Sequence, residues 1–102
     1  MDILSKDYSD TDTDVVELGP LQIVTLQGGA SVQVERTAGS GTVGSYQVLI
    51  SDSGKRYENQ GAAISAEGLT HISGIVVAFI KVRPVSLPGV GTTVRVTLAV
   101  GG

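Results

Sequence analysis

Gly74 to Pro84 reads Gly-Ile-Val-Val-Ala-Phe-Ile-Lys-Val-Arg-Pro, the most apolar stretch of the chain and the home of its only phenylalanine. It is too short to span a bilayer, and its β-branched residues disfavour a helix, so it predicts a central β-strand. Alternation puts Ile75, Val77 and Phe79 on one face and Val76, Ala78, Ile80 and Val82 on the other, which requires cover on both sides. Lys81 and Arg83 then turn the first face polar. Pro84, with no N–H to donate, is expected to stop the ladder.

The rest of the chain repeats this grammar in shorter units separated by Gly, Pro and Ser, and nowhere carries an apolar stripe of helical period. Expected strands are Val15 to Leu18, Leu21 to Leu26, Ala30 to Arg36, Ser45 to Ser51, a polar edge at Lys55 to Glu58, Ala62 to Glu67, Leu69 to Ile72, and Thr92 to Val100. Ala30 to Arg36 and Ser45 to Ser51 alternate cleanly, and a hairpin is their simplest pairing. Thr92 to Val100 is the best amphipathic strand, with Val94, Val96, Leu98 and Val100 opposed to Thr93, Arg95, Thr97 and Ala99. Seven or eight short strands with Gly and Pro turns predict an all-β fold: an antiparallel β-sandwich, jelly-roll-like, with a small closed barrel as the alternative. The 102 residues allow one compact domain.

Residues 1–14 read differently. Asp2, Asp7, Asp10, Asp12 and Asp14 crowd a segment without a periodicity that buries a face. It is expected to be an extended acidic arm preceding a sandwich domain over residues 15–102, ordered by docking on a neighbouring molecule. Ile3, Leu4, Tyr8, Asp10, Asp12 and Asp14 are its candidate partner-binding residues.

Composition narrows the function. Charged residues are 17% of the chain, below the roughly 25% of an average globular protein, so much of the surface is Ser, Thr, Gln and Gly. Such a surface is covered by neighbours without stranding many ions. A net charge of −3 with seven scattered Lys and Arg argues against nucleic acid. The absence of cysteine excludes disulfides, thiolate metal sites and Cys nucleophiles. No run spans a membrane, and the start of the chain lacks the basic and apolar regions of a signal peptide.

Motif matches are weak. Gly39-Ser40-Gly41-Thr42-Val43-Gly44 fits the dinucleotide pattern, but the following residues read as strand where that chemistry needs a helix N-terminus. Asp10, Asp12 and Asp14 have the alternate spacing of the first calcium ligands of a helix-loop-helix site. Val15 and Leu21 stand where its glycine and its glutamate belong, leaving only an ion shared with another chain. His71, the only histidine, has no nucleophile elbow to serve. No cofactor, resident metal or catalytic residue is expected.

Gly28-Gly29-Ala30-Ser31-Val32-Gln33-Val34, Tyr46-Gln47-Val48-Leu49-Ile50-Ser51, Glu67-Gly68-Leu69, the run from Ile80 to Leu87 and Thr93-Val94-Arg95-Val96-Thr97-Leu98 together resemble the small β-sandwich structural proteins of tailed bacteriophage virions. The resemblance implies a non-enzymatic virion component assembled in the host cytoplasm. Its form would be a capsid decoration or cement protein, head fibre base or tail accessory protein, bound to shell or neck and tail proteins and homo-oligomeric, with a trimer favoured. The alternative is a carbohydrate- or receptor-binding module of a fibre or tail, for which the four dispersed aromatics, Tyr8, Tyr46, Tyr57 and Phe79, are a poor platform.

Overall fold

The computed structural model describes residues 2–12, 16–23, 29–72 and 78–101, and among these it is all strand and turn. Eight strands form in chain order: β1 (Asp2–Ser9), β2 (Leu18–Gln22), β3 (Ala30–Ala38), β4 (Ser45–Ser51), β5 (Glu58–Asn59), β6 (Gly68–Ile72), β7 (Phe79–Ser86) and β8 (Thr93–Val100). They make two four-stranded antiparallel sheets, in the orders β1-β8-β3-β6 and β2-β7-β4-β5. β1 pairs with β8, β2 with β7, β3 with β6 and β4 with β5, so the chain is one long antiparallel hairpin rolled into a sandwich. That is the jelly-roll connection.

Alternation explains the core. Val32 and Val34 of β3 and Val94, Val96 and Leu98 of β8 face inward from the first sheet, meeting Tyr46 and Val48 of β4 and Ile80 and Val82 of β7 from the second. Each is at most 2% exposed, so each contributes the full burial of an aliphatic or aromatic side chain, about 1.5–3 kcal/mol for a valine. β-branched side chains suit this pleated interior because their rotamers are already restricted.

Several expectations need correction. The segment expected to be an arm is, over Asp2–Ser9, the edge strand β1, in register with β8 from Asp2 opposite Val100 to Ser9 opposite Thr93. The break at residue 14 therefore does not separate an arm from a sandwich. β8 has an apolar face and two sides to pair, and Leu4 and Tyr8 supply inward positions that the interleaved polar residues obscure. Residues 30–36 and 45–51 form no hairpin: β3 and β4 lie in different sheets, and residues 39–44 carry the chain from one sheet to the other.

The β7 ladder does not stop at Pro84, because Pro84 lies opposite Tyr46, whose N–H and C=O are both bonded to Ile64 on the other side, so this pair asks for no donor from the proline. Gly19-Pro20 likewise interrupts nothing, since β2 runs through it with a cis peptide bond and a bulge between Leu18 and Leu21. In place of a strand at residues 62–67 there is a single bridge from Ile64 to Tyr46. Ile75 to Val77, Val24 to Gln27 and Val15, parts of expected strands or turns, lie outside the described residues.

The glycine-rich connection has a structural use. Gly44 takes φ +83°, and a Cβ there would overlap the Ser86 carbonyl oxygen. A Cβ on Gly41 would meet Thr92 Oγ1 at 2.6 Å. The fully buried Thr92 hydroxyl instead accepts the Gly41 N–H at 2.8 Å. These glycines let two turns at one end of the sandwich approach, and the dinucleotide-like spacing is a by-product.

Candidate interaction surface

The two outer faces of the sandwich differ. On the second sheet, Gln47, Leu49 and Ser51 of β4 point outward yet are buried, because the chain after β4 folds back over them. Gln47 Nε2 donates to the carbonyls of Val48 and Gly61, fastening this cover. The Tyr57 ring lies under Lys81 Nζ at 4.1 Å from its centroid. Glu17 bridges Lys81 at 3.0 Å and Arg83 at 2.9 Å. Burial alone would raise the Glu17 carboxyl, but hydrogen bonds and charge from Arg83 and Lys81 outweigh it and hold it below the usual carboxylate value. This face is closed by its own chain over β4 and Lys81, and stays open at the end of β7, where Val85 is 62% exposed.

On the first sheet no described segment crosses the outer face. The register sets its rows: Ile3, Ala99, Ser31 and His71 in one; Ser5, Thr97, Gln33 and Leu69 in the next; Asp7, Arg95 and Glu35 in the third. The Ser5 and Thr97 hydroxyls hydrogen-bond at 3.0 Å, and Arg95 Nε donates to Asp7 Oδ1 at 3.0 Å. That bond and the charges of Asp7 and Glu35 push the guanidinium still higher than its ordinary value. The result is a hydroxyl and amide surface with charge confined to one end and two aliphatic side chains, Ile3 at 57% and Leu69 at 54% exposure, near opposite margins. A polar, low-charge patch with apolar contacts is suited to burial against another protein.

The expected partner-binding residues separate. Ile3 lies on the open face, while Leu4 is half-buried against the core. Tyr8 is core, its ring 5.7 Å from that of Tyr46 and its hydroxyl donating to the Val16 carbonyl. Asp10 is half-buried in the turn after β1. The Asp12 carboxylate accepts the Ser9 N–H at 2.9 Å and the Ser9 hydroxyl at 3.3 Å, so it caps a strand end. Asp14 lies outside the described residues. Among the described residues no cluster of three or more His, Asp or Glu is arranged to hold a metal ion.

Ser31, Gln33, Leu69, Thr97 and Ala99 form the centre of the face, and no sequence motif singles them out. Their outward direction is legible in the alternation of each strand. Their neighbourhood is not, because it depends on pairing between residues far apart in the chain. No family model, curated protein or solved structure matches this chain.

Proposed function

We propose that the protein is a non-enzymatic structural component of a virion, of the capsid decoration or cement kind, which attaches through the outer face of the β1-β8-β3-β6 sheet and self-associates. The observation that carries this reading is the asymmetry of the two faces. One is covered along β4 and around Tyr57 by its own chain and open toward the end of β7 at Arg83 and Val85; the other has no described cover across its width and exposes Ile3 and Leu69. The likeness of the strands to small phage virion proteins supports it, and so does the jelly-roll connection, a fold common in viral shells but also in lectins. The shell contact moves from a free arm to the face on which Ile3 stands. Its mechanism is burial, since a standard interface removes about 1,600 Å² from water and needs no reacting group.

The test is co-sedimentation of the purified protein with shells assembled from the major shell protein of the same genome. Stoichiometric binding is expected. Gln33→Arg, a charge placed at the centre of the face, is expected to weaken it at least about tenfold while leaving the fold intact. No binding to shells, together with clear hits on a glycan array, would overturn this in favour of a carbohydrate-binding module.

A further inference from the structure

A jelly roll of two open sheets has four edge strands, and each exposes a row of backbone groups able to pair with another chain. Three of them are guarded. β2 carries Pro20, a cis bond and a bulge. β5 is two residues long and begins with Glu58. β1 points Lys6 inward, its ammonium 5.6 Å from the Tyr8 ring, and its Ser9 N–H is already taken by Asp12. β6 has none of these devices. Gly68-Leu69-Thr70-His71-Ile72 contains no Asp, Glu, Lys, Arg or Pro, shows no bulge in its pairing with β3, and among the described residues has no strand on its other side.

The free hydrogen-bonding groups of β6 can be named. The Gly101 N–H donates to the Gly29 carbonyl at 2.8 Å, which fixes the phase of the β3–β8 ladder: Ser31 bonds Ala99, and Gln33 bonds Thr97. Ala30, Val32 and Val34 then turn their backbones to β6 and bond Ile72, Thr70 and Gly68. Alternation leaves the N–H and C=O of Leu69 and His71 aimed away from the sheet. Beneath that edge, between the sheets, runs a hollow of about 310 Å³ lined by Val48, Ala62, Ile64, Thr70 and Ile72 among others.

We propose that the free edge of β6 pairs with the same edge of a second copy, antiparallel and two-fold symmetric about Thr70, joining two four-stranded sheets into one. This names the contact for the self-association proposed above and rests on that reading. The occupant follows from the register. Centring on Thr70 sets Leu69 of one copy opposite His71 of the other, twice, and each such pair exchanges both of its backbone bonds. Those residues are the ones whose groups point outward.

At the axis Thr70 meets the Thr70 of the other copy as a non-hydrogen-bonded pair, with no like charge in contact, an arrangement that favours pairing. On the outer face each exposed Leu69 gains a His71 ring beside it. On the inner face each Ile72 comes opposite Gly68, where a Cβ would meet nothing within 4 Å. Five residues extend only about 17 Å, so the contact is of the small, concentration-dependent class.

Sedimentation equilibrium over a wide concentration range is expected to show a shift from the 10.4 kDa chain to twice that mass. Amide exchange gives the distinguishing signature. The Leu69 and His71 amides are expected to slow as concentration rises, whereas those of Thr70 and Ile72 stay protected throughout by β3.

Leu69→Pro removes an N–H that the β3 ladder does not use, a position where an edge proline is tolerated, and is expected to abolish self-association with an unchanged far-ultraviolet spectrum. Thr70→Lys opposes two ammonium groups at the axis and is expected to weaken it at least about tenfold, less so at high salt. A chain that remains monomeric at every concentration while still binding shells would overturn the edge contact and leave the face reading standing. An oligomer unaffected by both substitutions, or one whose slowed amides lie in β1, would also overturn it.

Discussion

Tyr8 and Tyr46 hold opposite sheets together through their rings, and each anchors its hydroxyl to a nearby carbonyl, Tyr8 to Val16 and Tyr46 to Val43 at 2.7 Å. Burial first, and then the charges of Asp12 and Glu17 around Tyr8, push its phenol up to about 12. Burial, with Tyr8 and Asp12, does the same for Tyr46, also to about 12. A folded-state value above the unfolded one means that this stabilisation is complete below about pH 10 and is lost as pH rises toward 12. Alkaline unfolding is therefore expected to coincide with phenolate absorbance from this pair. Ionisation of Tyr8 and Tyr46 at the ordinary value in a still-folded chain would contradict it. Tyr46→Phe strands the Val43 carbonyl and is expected to cost about 1–3 kcal/mol in denaturant unfolding. Glu17 acts at the other limb. Its lowered value adds stability above the unfolded carboxylate value that disappears as pH falls through the folded one, and Glu17→Gln is expected to flatten that part of the acid profile.

At the scale of the element, β1 is the decisive case. Removing residues 2–9 takes away the pairing partner of β8 and the Tyr8 ring, so the truncated chain is expected to be unfolded or molten by near-ultraviolet circular dichroism. A folded truncation would restore the arm. β8 is legible from sequence because Val94, Val96, Leu98 and Val100 alternate with polar residues without interruption, and a period of two is visible whatever strand lies alongside. β1 is not: Lys6 occupies the inward position between Leu4 and Tyr8, and a half-polar edge strand looks like a solvated tail. The expected β3–β4 hairpin fails because alternation reports which side is buried and not which sheet buries it. Turn chemistry carries part of the missing information. Gly44 at φ +83° is needed where the chain changes sheets, and Gly44→Ala is expected to destabilise the fold by more than about 1 kcal/mol. The open face and the β6 edge are the least legible, since Ser31 and His71 become neighbours only through a register set across some forty intervening residues.

Across the whole molecule the sandwich has one side largely covered by its own chain and one without described cover, and that polarity predicts an orientation on the shell whichever residues the partner contributes. Carboxylates report it without disturbing the fold. Asp7 and Glu35 flank Arg95 on the open face, whereas Asp52 and Glu58 lie exposed on or beside the chain that covers the other sheet. If attachment works by burying the open face, carbodiimide labelling of shell-bound protein is expected to spare Asp7 and Glu35 and to modify Asp52 and Glu58 as fully as in the free chain. Because the charged row sits at the margin of that face, salt is expected to change the rate of attachment more than its strength. Self-pairing through β6 extends the same sheet sideways and leaves both outer faces clear, so labelling of the unattached dimer is expected to match that of the monomer at all four carboxylates. The reverse pattern, with Asp52 and Glu58 protected on shells, would mean that the covered face is the docking side and that the bare sheet faces solvent.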